Sequence, residues 1–145
     1  MSGCIFCSII KGQTPAVKVF ENESVFAIMD IKPINVGHVL VLPKKHSPML
    51  IDLDDEVAGE IFKASKRIGR ALRNSKLNCK GLNFILNDGE EAGQEVFHAH
   101  LHIVPRYRGD GFGFKMPPKY GEAAEKEDLE RAAGKIKVEL QKLEG

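Results

Sequence analysis

The chain has 145 residues, a length that suits one domain with a substantial hydrophobic core. Apolar residues form 43% of the sequence and charged residues 28%, proportions typical of a soluble globular protein. The net charge of +1 argues against a large electrostatic surface for nucleic acid or membranes.

The N-terminal segment and the cysteines bear on the expected location. The sequence has no run of 18 apolar residues, and Met1–Cys4 lacks the basic residues that open a signal peptide. The cysteines are three in number, an odd count, and two form Cys4-x-x-Cys7, so we expect no disulfide framework. A cytoplasmic location, where thiols stay reduced, is therefore expected.

The first third of the chain is predicted to hold a short helix and three strands. In chain order these elements cover residues 4–11, 16–21, 24–30 and 37–43. A turn at Asn22–Glu23 joins the first two strands, and a loop over residues 32–37 with proline and glycine precedes the third.

A long amphipathic helix is predicted from the acidic residues Asp52, Asp54 and Asp55 to about Lys76. These carboxylates are expected to cap the first amides and to favour the positive end of the helix dipole. The apolar stripe consists of Val57, Ile61, Ala64, Ile68 and Leu72. The other side is basic, which indicates a solvated face rather than a nucleic-acid site, because no aromatic residues interleave with the charges.

The second half adds two strands and a final helix, predicted over residues 81–87, 97–105 and from about Ala123 onward. The loop over residues 88–94 is polar and contains glycine; it either brings backbone amides close to an anion or is a long hairpin connection. Five roughly antiparallel strands with helices on one face predict an α+β domain.

Three histidines, His98, His100 and His102, alternate within the last predicted strand. An extended strand places alternate side chains on one face, with apolar Phe97, Ala99, Leu101 and Ile103 on the other. Two chemistries fit three imidazoles on one face. They could bind a metal, or one could attack an electrophile while its neighbours manage the charge. The residues alone leave both open.

The pair Cys4-x-x-Cys7 has the spacing of half a zinc site. Two buried cysteines on a short helix would give the same pattern, so the pair by itself does not establish a metal site.

The run His98-Ala99-His100-Leu101-His102-Ile103-Val104 resembles the signature of the histidine triad superfamily. Four further segments match the family in order and spacing: residues 4–16, 30–33, 37–46 and 87–89. The resemblance covers residues 4 to about 112 and does not extend to the irregular segment and helix of about 113–145. It implies a single domain with a HIT-like fold, a roughly five-stranded antiparallel sheet, two main helices and a homodimer with a continuous sheet.

The resemblance also implies a hydrolase or transferase that cleaves adenine or purine nucleotide derivatives at the α-phosphorus through a nucleotidyl-histidine intermediate. It assigns the nucleophile to His100, contacts with the phosphate oxygens to His102 and support of the nucleophile to His38. Asp30 would hold the ribose hydroxyls. The phosphate or leaving group would contact Asn87, Gly93 and Gln94, of which Gln94 would also be catalytic together with the three histidines. The base would contact Ile5, Phe6, Ile9 and Ile28.

Three features bear on the subgroup of the family that this chain resembles. Cys4, Cys7, His46 and His98 resemble the structural zinc site of some microbial relatives, and no organic cofactor is implied. Glu95 stands where the phosphoramidase (Hint) branch has a serine that contacts the leaving group. Residues 88–94 and the residues after the triad are similar to the dinucleoside polyphosphate hydrolase (Fhit) branch. The substrate stays open between phosphoramidates and dinucleoside polyphosphates.

Two other functions stay open at this point. The chain could be a regulatory protein that binds a nucleotide with little turnover, or a metalloenzyme that uses all three histidines of the triad as ligands. The expected partners are a purine nucleotide and a second copy joined along residues 81–87, with no nucleic acid and no membrane.

Overall fold

The structure, a computed structural model, describes residues 3–144. Its centre is a five-stranded sheet in which every neighbouring pair is antiparallel. The strands are β1 (Lys18–Glu21), β2 (Val25–Met29), β3 (Val39–Pro43), β4 (Gly81–Leu86) and β5 (Leu101–Arg106), in the order β1-β2-β3-β5-β4. The predicted five-stranded antiparallel α+β fold is thus confirmed.

Three helices accompany the sheet: α1 (Ile5–Ile10), α2 (Asp55–Asn74) and α3 (Lys126–Leu143). Helix α2 starts later than the acidic residues suggested, after a 3₁₀ turn at Leu50–Asp52. Asp54 occupies the N-cap position without a side-chain capping bond, and its carboxylate lies 3.6 Å from Lys45 Nζ. The expected side-chain cap is therefore wrong at Asp54, although the carboxylates remain near the positive end of the helix dipole.

Alternating side chains of the central strands form two separate apolar clusters. One contains Val25, Val39 and Leu101 and packs against Ile61 and Ile68 of α2, with further members along both elements. The residues that alternate with them face the other way and form the cluster Phe6, Phe26, Ile28, Leu40 and Leu42, to which α1 contributes Phe6.

Helices α1 and α2 therefore lie on opposite faces of the sheet, and the expectation of helices on one face was wrong. The physical reason is that β2 and β3 are apolar at consecutive positions, with burial throughout β3, so both faces of these strands need a cover.

The histidine segment also departs from its prediction. Strand β5 begins at Leu101, four residues later than expected, because the Ala99 amide donates to the carbonyl of Ser47, in the loop after β3, at 2.7 Å. The alternation of faces persists through this segment, since Ala99 and Leu101 belong to the cluster under α2. Phe97 does not share that burial and is 46% exposed.

Residues up to Phe112 form one compact unit with the whole sheet, α1 and α2. Residues from Gly113 onward form a second unit that contains α3. That the chain acts as a single domain stays a prediction. Within the described residues, no helix combines the length and apolar character needed to cross a membrane.

Candidate active site

A cleft of about 460 Å³ opens on the α1 side of the sheet. The residues predicted for catalysis or substrate binding that line it are Ile5, Phe6, Ile9, Ile28, Asp30, His38, Asn87, Gly93, His100 and His102. The structure therefore brings together side chains from α1, β2, β3, the end of β4 and the histidine segment. Two charged residues outside that set, Lys32 and Glu95, line the same cleft.

One wall of the cleft is apolar. Phe6 and Ile28 belong to the buried cluster on this face, and Ile9 packs against it. The Phe6 ring lies edge-on to the His100 ring, with centroids 5.0 Å apart and an interplanar angle of 70°. Phe6 thus closes the apolar wall and fixes the plane of a histidine at the same time.

His100 is buried, and its backbone partner determines which nitrogen carries the proton. Nδ1 lies 2.7 Å from the carbonyl oxygen of His98, which only accepts, so the neutral ring is protonated at Nδ1. Within residues 3–144, Nε2 has no hydrogen-bond partner. Burial lowers the pKa of His100 below its ordinary value. His100 is therefore a neutral imidazole with a free lone pair on Nε2.

The backbone also fixes His38. The Ile34 amide donates to Nδ1 at 3.0 Å, so the neutral His38 ring carries its proton on Nε2. That Nε2 lies 2.9 Å from Nδ1 of His102 and 3.5 Å from a carboxylate oxygen of Asp30. Burial lowers the pKa of His38, and the Asp30 charge opposes this shift only in part.

The tautomer of His102 follows from that of His38. Because His38 Nε2–H donates, Nδ1 of His102 accepts, and the neutral His102 ring is protonated at Nε2. Burial and the neighbouring imidazoles lower the pKa of His102 to about 4. The His100 and His102 rings lie 4.9 Å apart between centroids. The unprotonated Nε2 of His100 and the Nε2–H donor of His102 therefore lie on neighbouring rings in the cleft.

A glycine allows the chain to bring His38 into this position. Gly37 has φ of +94°, a conformation that residues with a Cβ rarely adopt. A Cβ there would lie 3.0 Å from Leu77 Cδ1 and 3.1 Å from Pro105 Cγ. The loop can therefore approach β5 this closely only with glycine before His38.

The Asp30 carboxylate makes a turn contact and also lines the cleft. Its Oδ1 accepts a hydrogen bond from the Lys32 amide at 2.8 Å, which is the contact of a turn-initiating aspartate. Its carboxylate also lines the cleft and lies beside His38. The turn fixes the carboxylate and leaves it accessible from the cleft.

Gln94 is the one predicted catalytic residue that the structure does not bring to the cleft. It is buried, its Oε1 accepts from the Gly89 amide at 2.8 Å, and its Nε2 donates to the carbonyls of Pro48 at 2.7 Å and Val96 at 3.0 Å. These bonds occupy both ends of the amide. This geometry supports a structural role, in which Gln94 holds the loop in shape.

Four backbone amides of the loop over residues 88–94 also donate hydrogen bonds to acceptors within that loop. Gly89 donates to Gln94 Oε1, while the amides of Ala92, Gly93 and Gln94 donate to carbonyls of Gly89 or Glu90. Of the two alternatives that the sequence left open, these four amides therefore favour the hairpin connection.

A second cluster lies next to the cleft. Cys4, Cys7, His46 and His98 each offer one ligand atom, and the four atoms lie within 4.8 Å of one another. The distances from Nδ1 of a histidine to a cysteine Sγ are 3.3, 3.5 and 3.6 Å. With metal–ligand distances of about 2.3 Å for sulfur and 2.0 Å for nitrogen, a zinc tetrahedron has N···S edges of about 3.5 Å. The donor set and its spacing therefore fit zinc.

The orientation of His98 supports this assignment. Its Nε2 donates to the carbonyl of Pro43 at 2.8 Å, which leaves the Nδ1 lone pair directed at the two sulfurs. Burial lowers the pKa of His98, which keeps the ring neutral and able to ligate. The cluster can hold a metal in the interior, between α1 and the sheet.

An ion pair that was not predicted from the sequence, between Arg106 and Asp110, holds the loop before His38. Arg106 contacts both carboxylate oxygens of Asp110, at 2.8 and 2.9 Å. Asp110 accepts from Asn35 Nδ2 at 2.8 Å, and the same amide group donates to the Pro105 carbonyl at 2.9 Å. Arg106 and these bonds keep the pKa of Asp110 far below its usual range. An opposite-charge pair four residues apart was the only signal in the sequence.

Comparison with known proteins places this site in context. The HIT domain family matches residues 11–109. Protein hit of Bacillus subtilis is 44% identical and covers 94% of this chain and 94% of its own length. Adenosine 5'-monophosphoramidase HNT1 of Candida albicans is 33% identical and covers 99% of this chain and 95% of its own length.

A zinc-bound histidine triad family protein from Mycobacterium smegmatis has a similar crystal structure, with a TM-score of 0.74 and 43% identity over 80% of this chain and 84% of that one. The sequence match, the shared sheet and the alternating histidines agree, and the chain belongs to the HIT family.

Proposed function

We propose that the protein hydrolyses purine nucleotide derivatives at the α-phosphorus, with His100 as the nucleophile. The observation that carries this proposal is the pairing of the free His100 Nε2 with the Nε2–H of His102 in one cleft. An electrophilic phosphorus needs an unprotonated nucleophile beside a donor for its oxygens, and this pair supplies both.

In the first step His100 Nε2 attacks the α-phosphorus, a P–N bond forms, and the bond from phosphorus to the leaving group breaks. The leaving group departs with that electron pair and takes up a proton from solvent. His102 Nε2–H donates to a nonbridging oxygen as charge develops there. The imidazole of His100 becomes positively charged, and its Nδ1–H bond to the His98 carbonyl, 2.7 Å long, stabilises the cation.

In the second step water attacks phosphorus, a P–O bond forms, and the P–N bond breaks with its electron pair returning to His100 Nε2. The water gives up one proton to solvent, the nucleoside monophosphate leaves, and the imidazole is neutral again. Of the two substrate classes left open by the sequence, similarity to the Candida albicans adenosine 5'-monophosphoramidase favours phosphoramidates. The leaving group of a phosphoramidate is an amine and not an anionic phosphate, so it also suits a cleft lined by few positively charged residues.

Binding of the nucleotide is assigned to the rest of the cleft. Ile5, Phe6, Ile9 and Ile28 offer an apolar surface for the base. The Asp30 carboxylate suits two adjacent ribose hydroxyls as a double acceptor. Asn87 and Gly93 lie on the side of the cleft that we assign to the leaving group.

We propose further that Cys4, Cys7, His46 and His98 hold one structural zinc ion. Four protein ligands leave no open coordination position, so zinc would act as a cross-link between α1, the loop after β3 and the histidine segment. Thiolate ligands need a reducing environment, and for that reason we propose a cytoplasmic location.

The homodimer is also a proposal. Strand β4 lies at the edge of the sheet. Two aromatic residues line a groove beside that edge, with Phe84 47% exposed and Phe62 53% exposed. A second copy paired along β4 would extend the sheet and cover both rings. A monomeric mass by light scattering at micromolar concentration would contradict this arrangement.

The central test is intact-mass spectrometry after rapid quenching with an adenosine 5'-phosphoramidate. We expect a transient species heavier by one nucleotidyl group in the wild type, and none in His100→Ala. Binding without turnover in the wild type would favour a regulatory nucleotide-binding protein instead. Wild-type turnover retained by His100→Ala, together with immediate loss on chelation, would favour a metalloenzyme that uses all three histidines.

A further inference from the structure

The charges that line the cleft are unusual for a protein that binds nucleotides. Two carboxylates, Asp30 and Glu95, line it, and Lys32 is the only described residue of the lining with a permanent positive charge. His38 and His102 add no positive charge, because Nδ1 of each accepts a hydrogen bond and both rings are therefore neutral. His100 is neutral as the nucleophile of the proposed function. The lining is therefore negative by one charge.

The negative charge of the lining affects which leaving groups the cleft accepts. A polyphosphate leaving group brings several negative charges, which proteins ordinarily meet with arginine, lysine or magnesium ions. Lys32 and Asp30 both follow β2, so the single cation stands next to a carboxylate on that side. Glu95 lies on the segment leading to the histidines, two residues after Gly93, and both residues line the cleft.

The backbone on both sides of Glu95 is fixed. Gln94, immediately before it, is buried and bonded to Gly89, Pro48 and Val96, and Val96 is the residue immediately after it. The Glu95 side chain is exposed and has no hydrogen-bond or ion-pair partner in the described part of the chain. Glu95 and His100 both line the cleft, so the Glu95 carboxylate and the nucleophile border the same space. A free carboxylate is thus held at the mouth of the cleft, near the nucleophile.

We infer that Glu95 determines specificity by selecting leaving groups that carry a positive charge and disfavouring anionic ones. The inference rests on the proposed function, because it assigns the side of the cleft from which the leaving group departs. The matching substrates are nucleoside 5'-phosphoramidates whose amine bears a second, protonated amino group, as in a diamine or a basic amino acid. Dinucleoside polyphosphates have the opposite charge and are poor substrates.

The expected effect is moderate, since Glu95 is solvated. Exposed charge pairs change an equilibrium by up to about fivefold each, so a cationic and an anionic leaving group should differ by about tenfold. The difference should shrink as salt screens the carboxylate, whose field falls off over about 8 Å at physiological ionic strength.

The test uses three adenosine 5'-phosphoramidates of equal chain length, whose amine leaving groups end in an ammonium, a methyl or a carboxylate group. For the wild type we expect kcat/KM to fall in that order, with about a tenfold range. Glu95→Gln should reduce this range to less than about twofold, and Glu95→Lys should reverse the order. Glu95→Gln should also raise kcat/KM for a diadenosine polyphosphate.

Glu91→Gln is the matched control, because Glu91 is an exposed carboxylate of the same loop that does not line the cleft. It should keep the wild-type order and range. An unchanged range in Glu95→Gln, or a range equally reduced in Glu91→Gln, would overturn the assignment of Glu95 and leave the proposed function standing. If the wild type hydrolysed none of the three compounds, the proposed function itself would fail.

Discussion

His98 and His100 are two residues apart in the same segment, yet the backbone prepares them for opposite uses. The His98 ring donates from Nε2 to the Pro43 carbonyl and turns its Nδ1 lone pair to the cysteines. The His100 ring donates from Nδ1 to the His98 carbonyl and leaves its Nε2 lone pair free. The position of one carbonyl relative to each ring separates the proposed metal ligand from the proposed nucleophile.

The sharpest test of this contrast removes the nucleophile. His100→Ala should lower kcat by at least about 10³-fold, because the covalent step is lost. Nucleotide binding should persist, since Asp30 and the apolar wall are intact. Steady-state kinetics and calorimetric titration with a nucleoside monophosphate measure the two effects. A His100→Ala variant within tenfold of wild-type kcat would exclude His100 as the nucleophile.

Removal of the cysteine ligands addresses the other histidine. Cys4→Ser combined with Cys7→Ser should abolish a zinc content of one per chain and lower the melting temperature by about 10 °C, as a loss of roughly 3 kcal/mol would do at this size. KM should rise because α1 supplies one wall of the cleft, while kcat should change much less. Elemental analysis, thermal unfolding and kinetics test this. Cys79→Ser is the control, since Cys79 is outside the cluster.

A third prediction concerns the stability of the protein at acid pH. The pKa of His102 is lowered to about 4 in the folded protein, compared with about 6.5 in an unfolded chain. Its contribution to stability is fully present above pH 6.5 and is lost as the pH falls towards 4, because the unfolded chain then binds the proton more readily. The loss amounts to about 3 kcal/mol.

Denaturant unfolding between pH 7 and pH 4 should therefore show a steeper decline for the wild type than for His102→Gln at equal zinc content. Parallel declines in the two proteins would contradict the lowered pKa of His102. Activity should follow the same direction, with kcat/KM decreasing only below pH 6.5.

The smallest expected effect comes from the loop before His38. Asn35→Ala removes bonds to Asp110 and to the Pro105 carbonyl, which should cost about 1–2 kcal/mol of stability. A looser loop weakens the Ile34–His38 bond, and so the tautomer of His102 becomes mixed. We expect kcat to fall about tenfold with little change in KM.

Nitrogen chemical shifts of the His102 ring provide the readout for that variant, since a purely structural effect would leave the tautomer unchanged. An unchanged ring spectrum together with lower kcat would contradict the dependence of the His102 tautomer on the His38 hydrogen bond.

Much of this arrangement could be predicted from sequence because it depends on period and spacing. Apolar runs bounded by turn residues located all five strands, and the alternate positions of the triad determined which histidines share a face. The opposite placement of α1 and α2 was missed, since a continuous apolar strand such as β3 does not say which helix covers which side. The hydrogen bonds of Gln94 could not be foreseen for a related reason, because the Pro48 carbonyl that its amide contacts lies far away in the chain. Tautomers depend on individual backbone partners, which no spacing reveals.

Helix α1 has six residues. Cys4, immediately before it, and Cys7, within it, both belong to the cluster of two cysteines and two histidines proposed to hold zinc. A helix this short is not stable by itself, so its position depends on the cluster and on the packing of Phe6. A sample in which only part of the protein carries metal should therefore behave as a mixture of two enzymes with similar turnover but different affinity. Its saturation curve should be biphasic, and adding metal should merge the two phases into one.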